Sequence, residues 1–153
     1  MNFPHFFKIE TPAYLHQLTE MHKPVWGSMN GRQMLEHLRK ALVLSTLNVD
    51  VEVLAPEEKI PALQAWLKKD KPMMRFAPKP EALEQVPEVG GDLEKLKVEL
   101  MDSVHKTLQF YHDNPDYTSV HPNFGRLNVE LYLHLHRKHF IHHFTQFGLI
   151  KEL

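Results

Sequence analysis

Residues 128–148 read NVELYLHLHRKHFIHHFTQFG and hold five of the 12 histidines in this 153-residue chain. The histidines are interleaved with leucines and phenylalanines, which is typical of a folded element rather than a terminal tag. Asn128 is a favourable N-cap residue, and Gly148 is a favourable residue just past a helix end. We therefore predict a long helix over this stretch, with imidazoles on more than one of its faces.

The helical repeat of about 100° per residue places each of these side chains on a face. His139 and His143 lie one turn apart near the middle of the apolar arc, and Gln146 lies on the same face. His136 also falls within the arc, at about 60° from His139. The other polar residues lie at the edge of the arc or opposite it: His142 at the edge, and Glu130, His134, Arg137 and Lys138 away from its centre.

A second helix carries a further histidine on its apolar face. It begins at Asn30, where Gln33 completes a capping box, and it runs to about Asn48. His37 lies on the apolar side of this helix, beside Ala41. The charged residues lie on the other side: Arg32, Glu36, Arg39 and Lys40.

Three imidazoles from these two helices, those of His37, His139 and His143, thus point into one apolar interior. Burying three imidazoles together is unfavourable unless they share a partner. Two histidines at positions i and i+4 present their nitrogens on one helix face, at a spacing that suits a metal held at about 2.0–2.1 Å. We therefore predict a divalent metal site at these residues, with zinc, nickel or ferrous iron as its ion. The alternative is a plain helical protein whose histidines bind no metal.

Two other segments have helical patterns. The first begins at Thr11, which precedes a proline, and it ends before Pro24. The second begins at Asp92 and keeps apolar residues at helical spacing until Asn114. Together with the two histidine-bearing helices, these segments predict four main helices.

In chain order, these four helices begin at Thr11, Asn30, Asp92 and Asn128. The long segment between helix 2, which begins at Asn30, and helix 3, which begins at Asp92, is rich in proline, and within it only residues 60–69 favour a short helix. A connection of this length suits a crossover between parallel neighbours better than a tight turn. We therefore predict an all-α, four-helix bundle that forms a single domain over residues 1–153, with a long crossover connection between helices 2 and 3.

The composition argues against several functions. The absence of cysteine excludes disulfides, thiolate nucleophiles, iron–sulfur clusters and cysteine-based zinc sites. The formal net charge is −1, from 18 basic and 19 acidic residues, and no basic stripe is present, so we expect no nucleic-acid binding. No apolar run approaches the roughly 20 residues of a membrane span, and the first residues do not resemble a signal peptide. We therefore expect no membrane association and a cytoplasmic location.

Two phrases of the sequence resemble those of a known family. One is WGSMNGRQMLEHL at residues 26–38, and the other is HPNFGRL at residues 121–127, followed by KHFIHHFTQFG at residues 138–148. Together they resemble the DinB/YfiT-like superfamily of metal-binding four-helix bundles. The resemblance implies the same three histidines as metal ligands. Where the most similar branch has an acidic residue and then a tryptophan, this chain has Leu131 and Tyr132, and neither position is a presumed ligand.

A site with three histidine ligands leaves a coordination position open for water or substrate. A metal in such a site can lower the pKa of a bound water toward about 7, or it can bind an external thiolate. Some members of the superfamily that this chain resembles are thiol-dependent transferases or isomerases. We therefore expect a metal-dependent hydrolase or low-molecular-weight-thiol transferase that acts on a small molecule. The alternative is a non-catalytic metal- or ligand-binding bundle, and a homodimer is compatible with either.

Several further residues have candidate roles. Gln146 is placed to fix an imidazole or a bound water. His121, in the loop before the last helix, is placed to act as a general base. An equally weighted interpretation makes this loop a structural turn whose Phe124 closes the bundle end, and Trp26 is interpreted as a hydrophobic staple. A fourth protein ligand would close the site, and the candidates for it are His142, His136 and His121.

Overall fold

The computed structural model describes residues 1–152. Its elements in chain order are the helices α1 (Phe3–His5), α2 (Thr11–Gln17), α3 (Gly31–Ser45), α4 (Ile60–Leu67) and α5 (Leu93–Asp113), the strands β1 (Thr118–His121) and β2 (Gly125–Asn128), and the helix α6 (Val129–Gln146). A π-helical stretch, Phe6–Glu10, joins α1 to α2, and two short 3-10 turns, Glu57–Lys59 and Glu81–Gln85, lie between α3 and α5. The structure is mostly helical, which confirms that part of the prediction, whereas the four-helix bundle stays a prediction.

The first helical segment begins earlier than the sequence pattern indicates. Asn2 caps it by accepting a hydrogen bond from the His5 backbone N–H at 3.0 Å. Thr11 is not a cap, because its hydroxyl donates to the Phe6 carbonyl at 3.0 Å inside the continuous segment. The helix ends at Gln17, well before the proline that was expected to limit it.

The N-caps of the three long helices are confirmed. The capping box of α3 is complete, since Asn30 Oδ1 accepts from the Gln33 N–H at 2.9 Å and the Asn30 N–H donates to Gln33 Oε1 at 2.8 Å. Asp92 caps α5 by accepting from the Lys95 N–H at 2.8 Å. Asn128 caps α6 in the same way, at 3.0 Å from the N–H of the third helical residue. These local interactions fix where each helix begins.

An antiparallel hairpin of β1 and β2 lies between α5 and α6, and the all-α prediction lacks it. Its pairing runs from Thr118 opposite Asn128 to His121 opposite Gly125. Gly125 has a φ of +71°, which glycine adopts without steric penalty, and a Cβ at this position would meet Ile60 at 3.1 Å. Four-residue strands are too short for the period-two pattern to stand out in a sequence, which is why a loop was expected here.

The hydrophobic core has two parts, and Leu133 packs against both. The larger part joins the N-terminal segment to α3, α5 and α6, with members that include Phe7, Leu15, Met34, Leu38, Leu100, Phe140 and Phe144. The smaller part lies beside the hairpin and α4, with members that include Leu67, Tyr111, Phe124, Leu127 and Tyr132. Helix α3 packs against both α5 and α6, so its side chains can meet those of α6.

Two charged residues of α3 that were expected on the exposed side are buried. Arg39 Nε lies 3.0 Å from Glu36 Oε1, and both side chains are 8% exposed. Glu36 Oε2 accepts from the backbone N–H groups of Val89 and Gly90 at 3.0 and 3.2 Å, and Arg39 donates to the Pro87 carbonyl. The long connection covers this face of α3, so the helix has two buried sides.

Lys138 of α6 is a third charged residue that was expected on the exposed side and is buried. Its ammonium donates to the carbonyl oxygens of Lys69 and Lys71, just after α4, and it lies 4.5 Å from the centre of the Trp66 ring. Burial lowers the pKa of Lys138. The lysine thereby attaches the short helix α4 to α6.

Within residues 1–152, no helix combines the length and the apolar character needed to cross a membrane.

Candidate metal centre

The three predicted ligand histidines meet where α3 and α6 pack together. His37 of α3 places its Nε2 atom 2.8 Å from the Nε2 atom of His139 on α6. The Nε2 atom of His143, one turn further along α6, lies 3.1 Å from the same His139 atom. One ring nitrogen from each histidine therefore faces a common point, and all three lie within 4.8 Å of one another.

The surrounding core fixes the direction of the three rings. On α3, Leu38 follows His37 and is fully buried. On α6, Phe140 and Phe144 follow the two histidines and are also fully buried in the larger part of the core. Because each helix is anchored by the residue next to its histidine, the rings are held at the helix interface rather than in solvent. His143 is buried, whereas His37 and His139 are half-buried.

Gln146 fixes the tautomer and orientation of His143. Its side-chain N–H donates to the Trp26 carbonyl at 2.9 Å, which directs the amide oxygen toward the histidine. That oxygen lies 2.7 Å from His143 Nδ1, and an amide oxygen can only accept. Nδ1 therefore carries the proton, and Nε2 presents its lone pair to the cluster. Gln146 was expected to fix an imidazole or a bound water, and the structure places its amide oxygen beside the His143 imidazole.

The donor set fits a divalent cation. Ligands held at about 2.0–2.1 Å around a tetrahedral ion stand about 3.3 Å from one another. Two of the separations, 2.8 and 3.1 Å, are slightly shorter than this, and the third lies within 4.8 Å, so modest movements of the rings bring all three nitrogens to that spacing. Neutral imidazoles suit zinc, nickel and ferrous iron alike.

Electrostatics keep the three rings neutral, which is the form that binds metal. The pKa of His37 is lowered to about 4, mainly by burial and next by the charge of Lys79. The pKa of His143 is lowered to about 3, mainly by burial and next by the neighbouring His37. Burial also lowers the pKa of His139 well below its usual value, with the neighbouring His37 as the next cause.

The cluster forms part of the wall of a cavity of about 800 Å³. All three histidines and Gln146 line this cavity, which extends along α3 and α6 to the hairpin. The opposite wall comes from the proline-rich connection between α3 and α5. A cation held by the three histidines would therefore have one side open to a space large enough for a small molecule.

The structure does not bring the proposed fourth ligands into the cluster. Among residues 1–152, only His37, His139 and His143 form a group with metal-binding spacing. His142 is next to the cluster, with its ring 4.9 Å from that of His143, but it packs against Trp26 on its other side. The other two candidates, His136 and His121, line the cavity but do not belong to this group.

His136 belongs to a buried polar network that no pattern in the sequence predicts. Its Nε2 atom lies 3.0 Å from the Tyr111 hydroxyl and 3.1 Å from the Ser45 hydroxyl. Ser45 donates to the Leu42 carbonyl at 2.7 Å, so the network is anchored to α3. No local motif marks this network, since its members lie on three different helices. The position of His136 within the apolar arc was the one available signal.

His121 ends strand β1, rather than lying in a loop, and it faces the cavity. Its Nδ1 atom accepts from the Asn123 backbone N–H at 3.0 Å, so the neutral ring carries its proton on Nε2. This tautomer suits His121 to donate a hydrogen bond to a ligand better than to accept a proton. Phe124 is buried and stacks on Trp66 at 6.3 Å, which agrees with a structural turn.

Trp26, which was interpreted as a hydrophobic staple, lines the cavity. Its indole ring lies under the guanidinium of Arg75 at 3.8 Å and beside His142 at 5.4 Å, at the cavity wall. Arg75 comes from the proline-rich connection, so the tryptophan joins that connection to the end of α6 that carries the cluster.

No family model, no curated protein and no solved structure matches this chain. The resemblance to the DinB/YfiT-like superfamily therefore stays a prediction, and function is inferred from the geometry of the chain itself.

Proposed function

We propose that this protein is a metal-dependent enzyme that acts on a small molecule. His37, His139 and His143 hold a divalent cation, which is zinc, nickel or ferrous iron. The observation that carries the proposal is the convergence of three Nε2 atoms on one point in the wall of a large cavity. Structural zinc sites are normally closed by four protein ligands, whereas catalytic sites keep one position open.

Hydrolysis is the reaction that this environment favours. A divalent cation at the cluster would supply Lewis acidity and would lower the pKa of a bound water toward about 7. Gln146 holds His143 in the tautomer that binds the ion, and the cavity positions the scissile bond of an ester or amide. His121 presents its Nε2–H to the same cavity, where it can donate a hydrogen bond to the substrate.

Transfer of a low-molecular-weight thiol is the second reaction open to such a centre, because an external thiolate can take the open position. The described lining of the cavity offers one ammonium group and no carboxylate to bind the polar groups of such a thiol. Hydrolysis of an ester or amide needs no second substrate besides water. We therefore place hydrolysis first.

Metal binding is tested on untagged full-length protein that is stripped of metal, loaded with zinc and then desalted. We expect about one zinc ion per chain in the wild type and almost none in His139→Ala. The matched control is His142→Ala, which removes an adjacent histidine outside the cluster and is expected to keep its zinc. Equal zinc content in His139→Ala and the wild type would contradict the proposed site.

Catalysis is tested on the zinc-, nickel- and iron-loaded forms with a panel of esters, amides and thiol-conjugation substrates. We expect hydrolytic turnover that disappears in His37→Ala and persists in His142→Ala. Stoichiometric metal without turnover on any substrate would favour the alternative of a non-catalytic binding protein.

A further inference from the structure

The cavity beside the histidine cluster is largely apolar. Leu44 on α3 and Leu135 on α6 form part of one wall, and Leu54 and Leu63 contribute from the connection between α3 and α5. The connection also adds Met74 and Phe76, whose side chains are 72% and 74% exposed while still lining the cavity. Large apolar side chains that remain exposed at the edge of a cavity are characteristic of a binding site for an apolar ligand.

The charge of the cavity has one sign. Among the residues that the structure describes, Lys79 is the only lysine, arginine, aspartate or glutamate in the lining. Lys79 is exposed and belongs to the same cavity lining as His37 and His143, and its charge is one cause of the lowered pKa of both histidines. A positive group without a carboxylate beside it attracts an anion and repels a cation.

We propose that the cavity binds an amphipathic monoanion, which is a small molecule with an aliphatic or aromatic body and one carboxylate group. Its carboxylate lies beside Lys79, and its body extends along the apolar wall toward Leu44 and Leu54. This inference rests on the proposed function only in taking the same cavity as the substrate site. It requires no metal for binding.

The two parts of such a ligand meet different demands of the site. Removing each methylene group from water raises affinity by about fourfold, so the apolar body provides most of the binding. The carboxylate sets the orientation, because Lys79 is the only charged residue among the described residues of the lining. A ligand with a cationic head would bring two like charges together at Lys79.

The test is calorimetric titration of metal-free, full-length protein with three probes that share a ten-carbon chain: decanoate, decanol and decylammonium. We expect decanoate to bind most tightly, decanol more weakly and decylammonium weakest. Octanoate is expected to bind more weakly than decanoate by about 15-fold, from the two lost methylene groups.

Two variants assign the binding to this cavity. Lys79→Gln is expected to reduce the affinity for decanoate at least fivefold and to leave that for decanol unchanged. The matched control is Lys59→Gln. Lys59 is an exposed lysine of the same connection and lies outside the cavity lining, so its replacement is expected to leave the affinities for both decanoate and decanol unchanged. Leu44→Trp fills the apolar wall two turns from His37 and is expected to abolish binding of both probes while zinc binding persists.

Equal binding of decanoate and decylammonium, or decanoate binding that survives Leu44→Trp in a variant with wild-type thermal unfolding, would overturn the inference. Because the probes are titrated without metal, the outcome is separate from that of the proposed function. Decanoate binding in a protein that holds no zinc would refute only the metal centre. Zinc binding without any decanoate binding would refute only the ligand class.

Discussion

Gln146 shows how one uncharged side chain can prepare a metal ligand. Its amide is held by a backbone carbonyl on one side and accepts from His143 on the other, so the histidine has one tautomer available. Outer partners of this kind raise the affinity of a site without touching the ion. In this chain the contact spans three residues of one helix, and the helical spacing alone placed Gln146 on the ligand face.

Gln146→Ala is expected to weaken zinc binding by about 10- to 100-fold, because His143 loses the partner that fixes its ring. The affinity is measured by competition with a chelator of known zinc affinity. Gln146→Glu provides the comparison, since a carboxylate can still accept from His143 Nδ1 and should retain more of the affinity. An unchanged affinity in Gln146→Ala would show that the core alone orients the ring.

At the scale of elements, the buried pair of Glu36 and Arg39 joins helix α3 to the connection that covers it. Each charge is satisfied twice, once by the other and once by backbone groups of residues 87–90. The same connection forms the wall of the cavity that faces the cluster. The pair thus holds in place the segment that closes the candidate site.

Removing one partner leaves the other charge buried and unpaired. Glu36→Ala is therefore expected to lower the free energy of unfolding by about 3–5 kcal/mol, as measured by urea denaturation. The double variant Glu36→Leu, Arg39→Met replaces both charges with apolar groups, and its free energy of unfolding should fall much less than that of Glu36→Ala. A loss below about 1 kcal/mol in Glu36→Ala would show that solvent reaches the arginine.

At the scale of the whole molecule, several histidines are buried in the neutral form. Burial lowers the pKa of His136 to about 3 and that of His121 to about 4, against about 6.5 in an unfolded chain. At a pH between the native pKa of each histidine and its unfolded pKa of about 6.5, the histidine is protonated in the unfolded state but not in the native state. Their contribution to stability is therefore complete above pH 6.5 and is lost progressively as the pH falls toward 3–4.

Metal-free protein is accordingly expected to lose stability on acidification below pH 6.5, by about 1.4 kcal/mol per pH unit for each such histidine. The measurement is the free energy of unfolding at a series of pH values from 7 to 4.5. His136→Gln should reduce the slope by about one proton, because this ring then no longer takes up a proton on unfolding. A slope unaffected by His136→Gln would show that this ring is protonated in the native state.

The sequence by itself determined the features that depend on neighbouring residues. The caps at Asn30, Asp92 and Asn128 fix the starts of three helices through hydrogen bonds that span three residues. The helical period then placed His37 on one apolar face, and His139 and His143 on another. These signals are local, so a linear pattern records them.

Only the tertiary structure decided the rest, because those features depend on segments far apart in the chain. The packing of α3 against α6 brings the three ring nitrogens together, and the proline-rich connection encloses the cavity and supplies Lys79. The helical period predicted that Glu36 lies on the exposed side of α3, but the connection buries it. A period reports which face of a helix is apolar, but a polar face can also be covered when the covering segment offers backbone groups to bind its charges.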